Sequence, residues 1–360
     1  TMAPNDAAML LKETPMPPDD AFSQAVESYY LETTDGLFFA VKGTEHPPDR
    51  RIAVLRYVPD DEAGDRRKGG RLHRRLYSFA EQEQWIRTHS PRYLAYDEVF
   101  HATLQSVSRS MVRRVYDPRA ALKELSQARQ RTDIQDDAAA FAELLRRTAG
   151  ILPSAVGVTG SLLIGLQTKQ SDLDIVVFGA RDCRKAYRAL QRLLKNGSRD
   201  EIRRLDARGM EELYAQRASD MRMEFRKFAE AEKRKVNQGL FRSRPYFIRF
   251  VKETLETDAG YGFRRYMSLG RAAIEAMIAD DEDAIFTPCR YGIWGVRTLQ
   301  GAVIRDLREI VSFRGRFCEQ ARRGERITAE GTLERVKSDR GGAWQRLILG
   351  NSPQDTMFVL

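Results

Sequence analysis

No run of 18 or more apolar residues occurs in the 360-residue chain, so the sequence offers no helical membrane span. Cysteine is scarce: Cys183, Cys289 and Cys318 are scattered and none stands in a C-x-x-C pair. That excludes a cysteine-rich zinc site and favours a reduced, cytoplasmic protein. Histidine is equally sparse. His46, His73, His89 and His101 all fall in the first third of the chain, none at metal-ligand spacing from another, and they read as surface or core residues. Internal repeats and low-complexity tracts are lacking, and the stretch after Thr1-Met2-Ala3 has neither a charged n-region nor an apolar h-region. Thr1 reads as a residue added ahead of the start methionine.

What the chain has in excess is positive charge. Sixty Lys+Arg against 51 Asp+Glu give a formal net charge of +9 and a pI near 9.5, which suits a polyanionic partner such as nucleic acid. Arg66, Arg67, Lys68, Arg71, Arg74 and Arg75 fall within ten residues around Gly69 and Gly70, and predict a flexible basic loop able to lie along phosphates. Near the C-terminus, Arg314, Arg316, Arg322, Arg323 and Arg326 mix with Phe313 and Phe317 in a pattern suited to phosphate contacts and base stacking, although core aromatics and a solvated turn explain the same letters.

The length predicts more than one domain, and the order of patterns predicts an α+β chain in several parts. Residues 1–20 read as a leader, and residues 21–115 as a β-rich domain built on "GLFFAVKG" and "RIAVLRYV". Helix signals then take over: Asp117 with Pro118, and a second helix from about Asp136 to Thr148 that stops at Gly150. The domain expected over 116–255 holds strand, turn, strand and helix in succession, with a charged helical insert at about 200–238. Over 256–360, "RAAIEAMIADDED" reads as strand or short helix. The runs "REIVSF", "ERITAEGTLERV", "AWQRLILG" and "TMFVL" suggest a small C-terminal β-barrel of the oligonucleotide-binding type.

The stretch that carries chemistry is "VTGSLLIGLQTKQSDLDIVVFG", residues 158–179. Strand alternation puts Asp172 and Asp174 on one face, with Leu173 and Ile175 on the other. Two carboxylates so close repel and raise one another's pKa unless a cation compensates them. Mg²⁺, a hard ion that bridges carboxylates to substrate phosphates, is the expected compensator, with Mn²⁺ as its substitute. The Gly160-Ser161 turn adds a place where backbone and hydroxyl approach a triphosphate.

The arrangement of an apolar residue, Gly-Ser, about ten residues and Asp-x-Asp in an apolar strand resembles the signature of the DNA polymerase beta-type nucleotidyltransferase superfamily. That superfamily includes CCA-adding enzymes, poly(A) polymerases, antibiotic nucleotidyltransferases and small antitoxin-like members. More loosely, the whole chain resembles uncharacterised archaeal and bacterial nucleotidyltransferase-domain proteins, with "IFTPCRYGI" and "EIVSFRGRFCEQARRGER" in support. The resemblance implies a central mixed sheet, Gly160 and Ser161 on the nucleotide phosphates, Asp172 and Asp174 on the metal, and a third carboxylate on a later strand.

That third carboxylate is the departure. The strand "YFIRFV" offers Ile248, Arg249 and Phe250 at its centre, so Glu253 at its end is the first choice and Glu275 the second. Arg249 is an expected triphosphate contact, and Arg66, Arg67, Lys68, Arg71, Arg314 and Arg316 are expected nucleic-acid contacts. The leading expectation is NMP transfer from an NTP to an acceptor hydroxyl, with an RNA 3′ end preferred over DNA. The competing expectations are a nucleic-acid-binding protein whose fold has lost activity, and a modifier of a protein or small molecule.

Overall fold

The computed structural model describes residues 19–196, 201–218, 221–257 and 260–360, and the leader expected over 1–20 falls almost wholly outside them. The first sheet grows from short alternating runs: β1 (Tyr30–Thr33), β2 (Phe38–Val41), β3 (Arg50–Pro59), β4 (Arg66–Lys68), β5 (Arg71–Arg75), β6 (Leu94–Asp97), β7 (Ala102–Ser108) and β8 (Val112–Tyr116). Their order is β4-β5-β3-β2-β1-β8, with β7 on β3 and β6 on β7, and helices α1 (Asp19–Gln24) and α2 (Phe79–His89) accompany them. The basic segment is not the loop its composition suggested. β4 and β5 form a hairpin, because Gly69 and Gly70 both take positive φ, 56° and 82°, the conformation a two-residue hairpin turn demands.

The central region holds α3 (Pro118–Gln127), α4 (Asp133–Ala149), β9 (Val156–Val158), α5 (Gly160–Ile164), β10 (Leu173–Phe178), α6 (Ala180–Asn196), β11 (Ile202–Arg203), α7 (Ala207–Arg217), α8 (Phe225–Glu232), β12 (Gln238–Phe241) and β13 (Arg244–Val251). The helix signals act as written: Asp117 accepts from the Arg119 amide at 2.8 Å, Thr132 and Gln135 close a capping box on α4, and Gly150 ends it at φ 62°. The charged segment expected as one helical insert is instead a short strand and two short helices, α7 and α8, folded together through Met210, Met221, Phe228 and Ala229. The strand order is β11-β12-β13-β10-β9, with β10 parallel to β13 and the other pairs antiparallel.

The last sheet contains β14 (Arg264–Asp280), β15 (Cys289–Gly301), β16 (Leu307–Ser312), β17 (Arg326–Ser338), β18 (Ala343–Leu349) and β19 (Thr356–Val359). "RAAIEAMIADDED" resolves to strand, as part of β14. Pairing passes from β14 through β15, β16, β18 and β17 back to β14, with β16 and β18 parallel and β19 added beside β17. No helix among the described residues is long and apolar enough to cross a membrane.

One face of the central sheet is covered by its own helices. Leu173, Ile175 and Val177 of β10 and Tyr246, Ile248 and Phe250 of β13 pack with Phe141 and Leu145 of α4 and Leu190 of α6. The other face is covered by the N-terminal sheet: Val176, Phe178 and Val251 belong to one buried cluster with Leu31, Phe39, Val41 and Leu55. The two sheets therefore share a core. Phe178 is 1% exposed, meets the Tyr29 ring edge-on at 6.2 Å and carries the Arg119 guanidinium 3.9 Å from its ring centre. Phe178→Ala is expected to destabilise the whole chain by about 3–5 kcal/mol, measured by urea denaturation as one displaced transition. A lower midpoint for the central region alone would contradict the shared core.

Candidate active site

β10 sorts its side chains by alternation. Val176 and Phe178 lie beneath the N-terminal sheet, and further along the same face Asp172 and Asp174 stand half-buried where that cover opens. The turn before α5 fits under them closely. Gly160 has φ +66°, and a Cβ there would lie 2.1 Å from Asp174 Oδ2, so both the conformation and the space require glycine. The preceding Thr159 fixes the turn from two sides, its amide donating to the Asp174 carbonyl at 2.9 Å and its hydroxyl to the Ser28 carbonyl at 2.6 Å. Ser161 follows on the buried first turn of α5.

The electrostatics match two crowded carboxylates. Burial, and then the charge of Asp174, push the Asp172 carboxyl up to about 6, while Arg75, Arg217 and Arg66 pull it back. Two same-face carboxylates beside a turn that brings backbone to within contact make a fit donor pair for a hard cation. Among the described residues no group of three His, Cys, Asp or Glu side chains is placed to hold a metal, so the pair stands without a third ligand.

The register of β13 explains why. Asp174 is level with Phe247 and Val176 with Arg249, so the place beside Asp174 on the neighbouring strand belongs to a phenyl ring, with a guanidinium two residues further along. Phe247 is held there by the C-terminal sheet, since a Cβ at Gly315 would fall 2.6 Å from the Phe247 ring. Glu253, the first choice for the third acid, is not at the site. It lies six residues beyond Phe247, about 20 Å along the strand direction, paired with Arg119 and starting a short helical turn. Glu275, the second choice, sits on β14 between Arg297 and Arg326.

The expected nucleic-acid contacts divide. Arg66 is buried, donating to the Leu166 carbonyl at 2.8 Å, and Lys68 donates to the Ile164 carbonyl at 2.5 Å, so both brace the segment between the Gly-Ser turn and the aspartates. Arg67 and Arg71 are exposed on the hairpin. Arg314 and Arg316 are half-buried at the junction of the sheets, over the rings of Phe79 and Phe317 respectively. Sequence reasoning grouped Arg75 with a surface cluster, whereas its charge acts on Asp174. It missed Arg217 altogether, because a long charged segment gives no sign of which arginine turns inward.

Residues 140–246 match the family model described as Nucleotidyltransferase domain, a span that contains Gly160, Ser161, Asp172 and Asp174. The central region is similar to nucleotidyltransferase domains. Over 330 residues the chain is 29% identical to an uncharacterized protein of Methanocaldococcus jannaschii, covering 90% of this chain and 94% of that one. The likeness thus extends across all three sheets and well beyond the span that matches the family model. No solved structure matches the chain.

Because the folded protein holds the Asp172 proton more tightly than the unfolded chain, ionising Asp172 costs stability. The cost is fully present above pH about 6 and disappears as the pH falls below about 4. Asp172→Asn is therefore expected to stabilise the metal-free protein at pH 7.5, by up to about 3 kcal/mol, and to leave it unchanged at pH 3.5. Thermal melts at the two pH values check this, and an equal shift at both contradicts it.

Proposed function

We propose that the chain transfers a nucleoside monophosphate from a nucleoside triphosphate to an acceptor hydroxyl, with release of pyrophosphate, and that the acceptor is an RNA 3′ end. The observation that carries this reading is the Asp172–Asp174 pair on one strand face, with Gly160 pressed against Asp174, inside the matched domain. Asp172 and Asp174 would hold Mg²⁺, or Mn²⁺ in its place. When bound, such an ion polarises the reacting phosphate and favours the ionised acceptor. Gly160 keeps the floor of the site free of a side chain, and Ser161 follows it on the nucleotide side. The N-terminal sheet excludes water from Val176 onward, which confines substrate to the open aspartate end of β10.

Support for RNA comes from charge and from the last sheet. Its ring runs first-second-third-fifth-fourth-first with the third and fifth strands parallel, which we read as a barrel of the oligonucleotide-binding type. Trp294 on that sheet is 60% exposed, and Arg297 and Arg326 are exposed on it as well, a combination suited to stacking and phosphate contact. The buried free thiols of Cys183, Cys289 and Cys318 suit a reducing cytoplasmic setting.

Phe247 at the level of Asp174, where a third acid would stand, favours a second reading, a nucleic-acid-binding protein with little or no transfer activity. Incubation with each α-labelled NTP, Mg²⁺ and pooled cellular RNA separates the two. Wild type is expected to label RNA and the Asp172→Ala/Asp174→Ala double variant to fall to background. Absence of label from RNA, DNA and protein alike, together with absence of NTP binding, overturns the transferase reading.

A further inference from the structure

The strands around the aspartates carry guanidiniums that no described carboxylate pairs with. Arg75, at the end of β5, lies opposite Tyr57, stacks on Tyr77 at 4.9 Å and keeps its Nε buried without a hydrogen-bond partner. Arg56 occupies a bulge of β3: Phe38 faces Tyr57 and Phe39 faces Leu55, which leaves Arg56 between them unpaired with β2. Bulges of this kind re-aim a side chain beside functional sites. Its carbonyl accepts from the Leu76 amide at 2.9 Å, which ties it to Arg75's neighbour.

Arg249 comes from the central sheet, and its charge acts on the same Lys42 as that of Arg56. It shares a face with Asp174, one strand across and two residues along, about 8 Å between α-carbons from strand rise and spacing. Its guanidinium lies 5.1 Å from the Phe247 ring centre, and its Nη1 is buried with no acceptor. Lys42, between these groups, is already taken by Glu27 at 2.9 Å. Burial lowers its ammonium from the ordinary value; Glu27 opposes this, and the charges of Arg249 and Arg56 add to it. The guanidinium of Arg56 is likewise lowered, first by burial and then by Arg75.

None of Arg56, Arg75 and Arg249 forms an ion pair among the described residues. Exposed arginines need no partner, but two of these three bury an N–H that finds none, Arg75 acts on Arg56 as a like charge, and Arg56 and Arg249 both act so on Lys42. Such a cluster costs free energy unless an anion enters it. Three guanidiniums with open donors suit a chain of phosphates better than a single carboxylate.

We propose that Arg56, Arg75 and Arg249 form a polyphosphate seat that holds the β- and γ-phosphates of the nucleotide, and pyrophosphate after transfer. The N-terminal sheet supplies two of the three donors, so it is part of the active site. The assignment rests on the reading that the aspartates serve a nucleoside triphosphate, but the seat itself binds without a cation.

Isothermal titration with inorganic tripolyphosphate in EDTA tests it. Wild type is expected to bind, and Asp172→Asn/Asp174→Asn to bind as tightly or more so. Arg56→Gln and Arg249→Gln are expected to bind at least about tenfold more weakly, and Arg249→Lys to recover part of the loss. Without anion, both glutamine variants should melt no lower than wild type, because each removes charge from a repelling cluster. Tripolyphosphate should then raise the wild-type melting temperature more than that of either glutamine variant. ATP should displace the bound tripolyphosphate, and a single-stranded RNA without a 5′ phosphate should not.

Failure of wild type to bind, equal binding in the glutamine variants, or displacement by RNA and not ATP would each overturn the seat. If wild type labels RNA while the glutamine variants bind tripolyphosphate normally, the seat fails and the transferase reading stands. If binding follows the arginines and no transfer is detected, the seat stands and the transferase reading fails.

Discussion

Repulsion between Asp172 and Asp174 is the constraint around which the central region is organised. Strand alternation leaves the two carboxylates on one half-buried face, and the fold answers with local measures. Gly160 gives up its side chain so that Asp174 has room, and it takes the positive φ that makes the turn possible. Arg66 and Arg75 from the β4–β5 hairpin and Arg217 from α7 bring compensating charge, which offsets part of the rise in the Asp172 pKa. A site that only needed stability would be better served by removing one aspartate. Keeping both is intelligible when a divalent cation takes up the remaining charge.

The flanking sheets act on the same few ångströms. The N-terminal sheet buries Val176 and Phe178 and so defines where β10 becomes accessible, while its β4–β5 hairpin pins the end of α5 through Lys68 and Leu166 through Arg66. The C-terminal sheet fixes Phe247 through Gly315, and its Phe313 reaches the N-terminal sheet, where a Cβ at Gly43 would come within 3.0 Å. The likeness to the archaeal protein across 90% of this chain fits a unit in which all three sheets are kept together.

Local signals in the sequence carried much of this structure. The Gly-Ser turn, the Asp-x-Asp strand, Asp117 with Pro118 and the Gly150 stop each depend on a few neighbouring residues, and each appears where the letters place it. The rest depends on register and long-range contact. Whether Glu253 or Phe247 stands beside Asp174 is decided by the pairing of β10 with β13, which no composition reveals. The basic cluster around Gly69 and Gly70 looked like a loop because its hairpin is polar on both sides, and the carbonyls that Arg66 and Lys68 satisfy lie about a hundred positions away. Arg56 was hidden for a similar reason, since a bulge leaves no mark in an alternating apolar run.

The central claim is that Asp172 and Asp174 hold a divalent cation without a third carboxylate, and Mn²⁺ titration followed by loss of the free-ion electron paramagnetic resonance signal addresses it directly. The expected result is saturable binding by wild type that ATP tightens and that Asp174→Asn abolishes, with Glu253→Gln indistinguishable from wild type. Equal Mn²⁺ binding by wild type and Asp174→Asn, or its loss in Glu253→Gln, would contradict the claim.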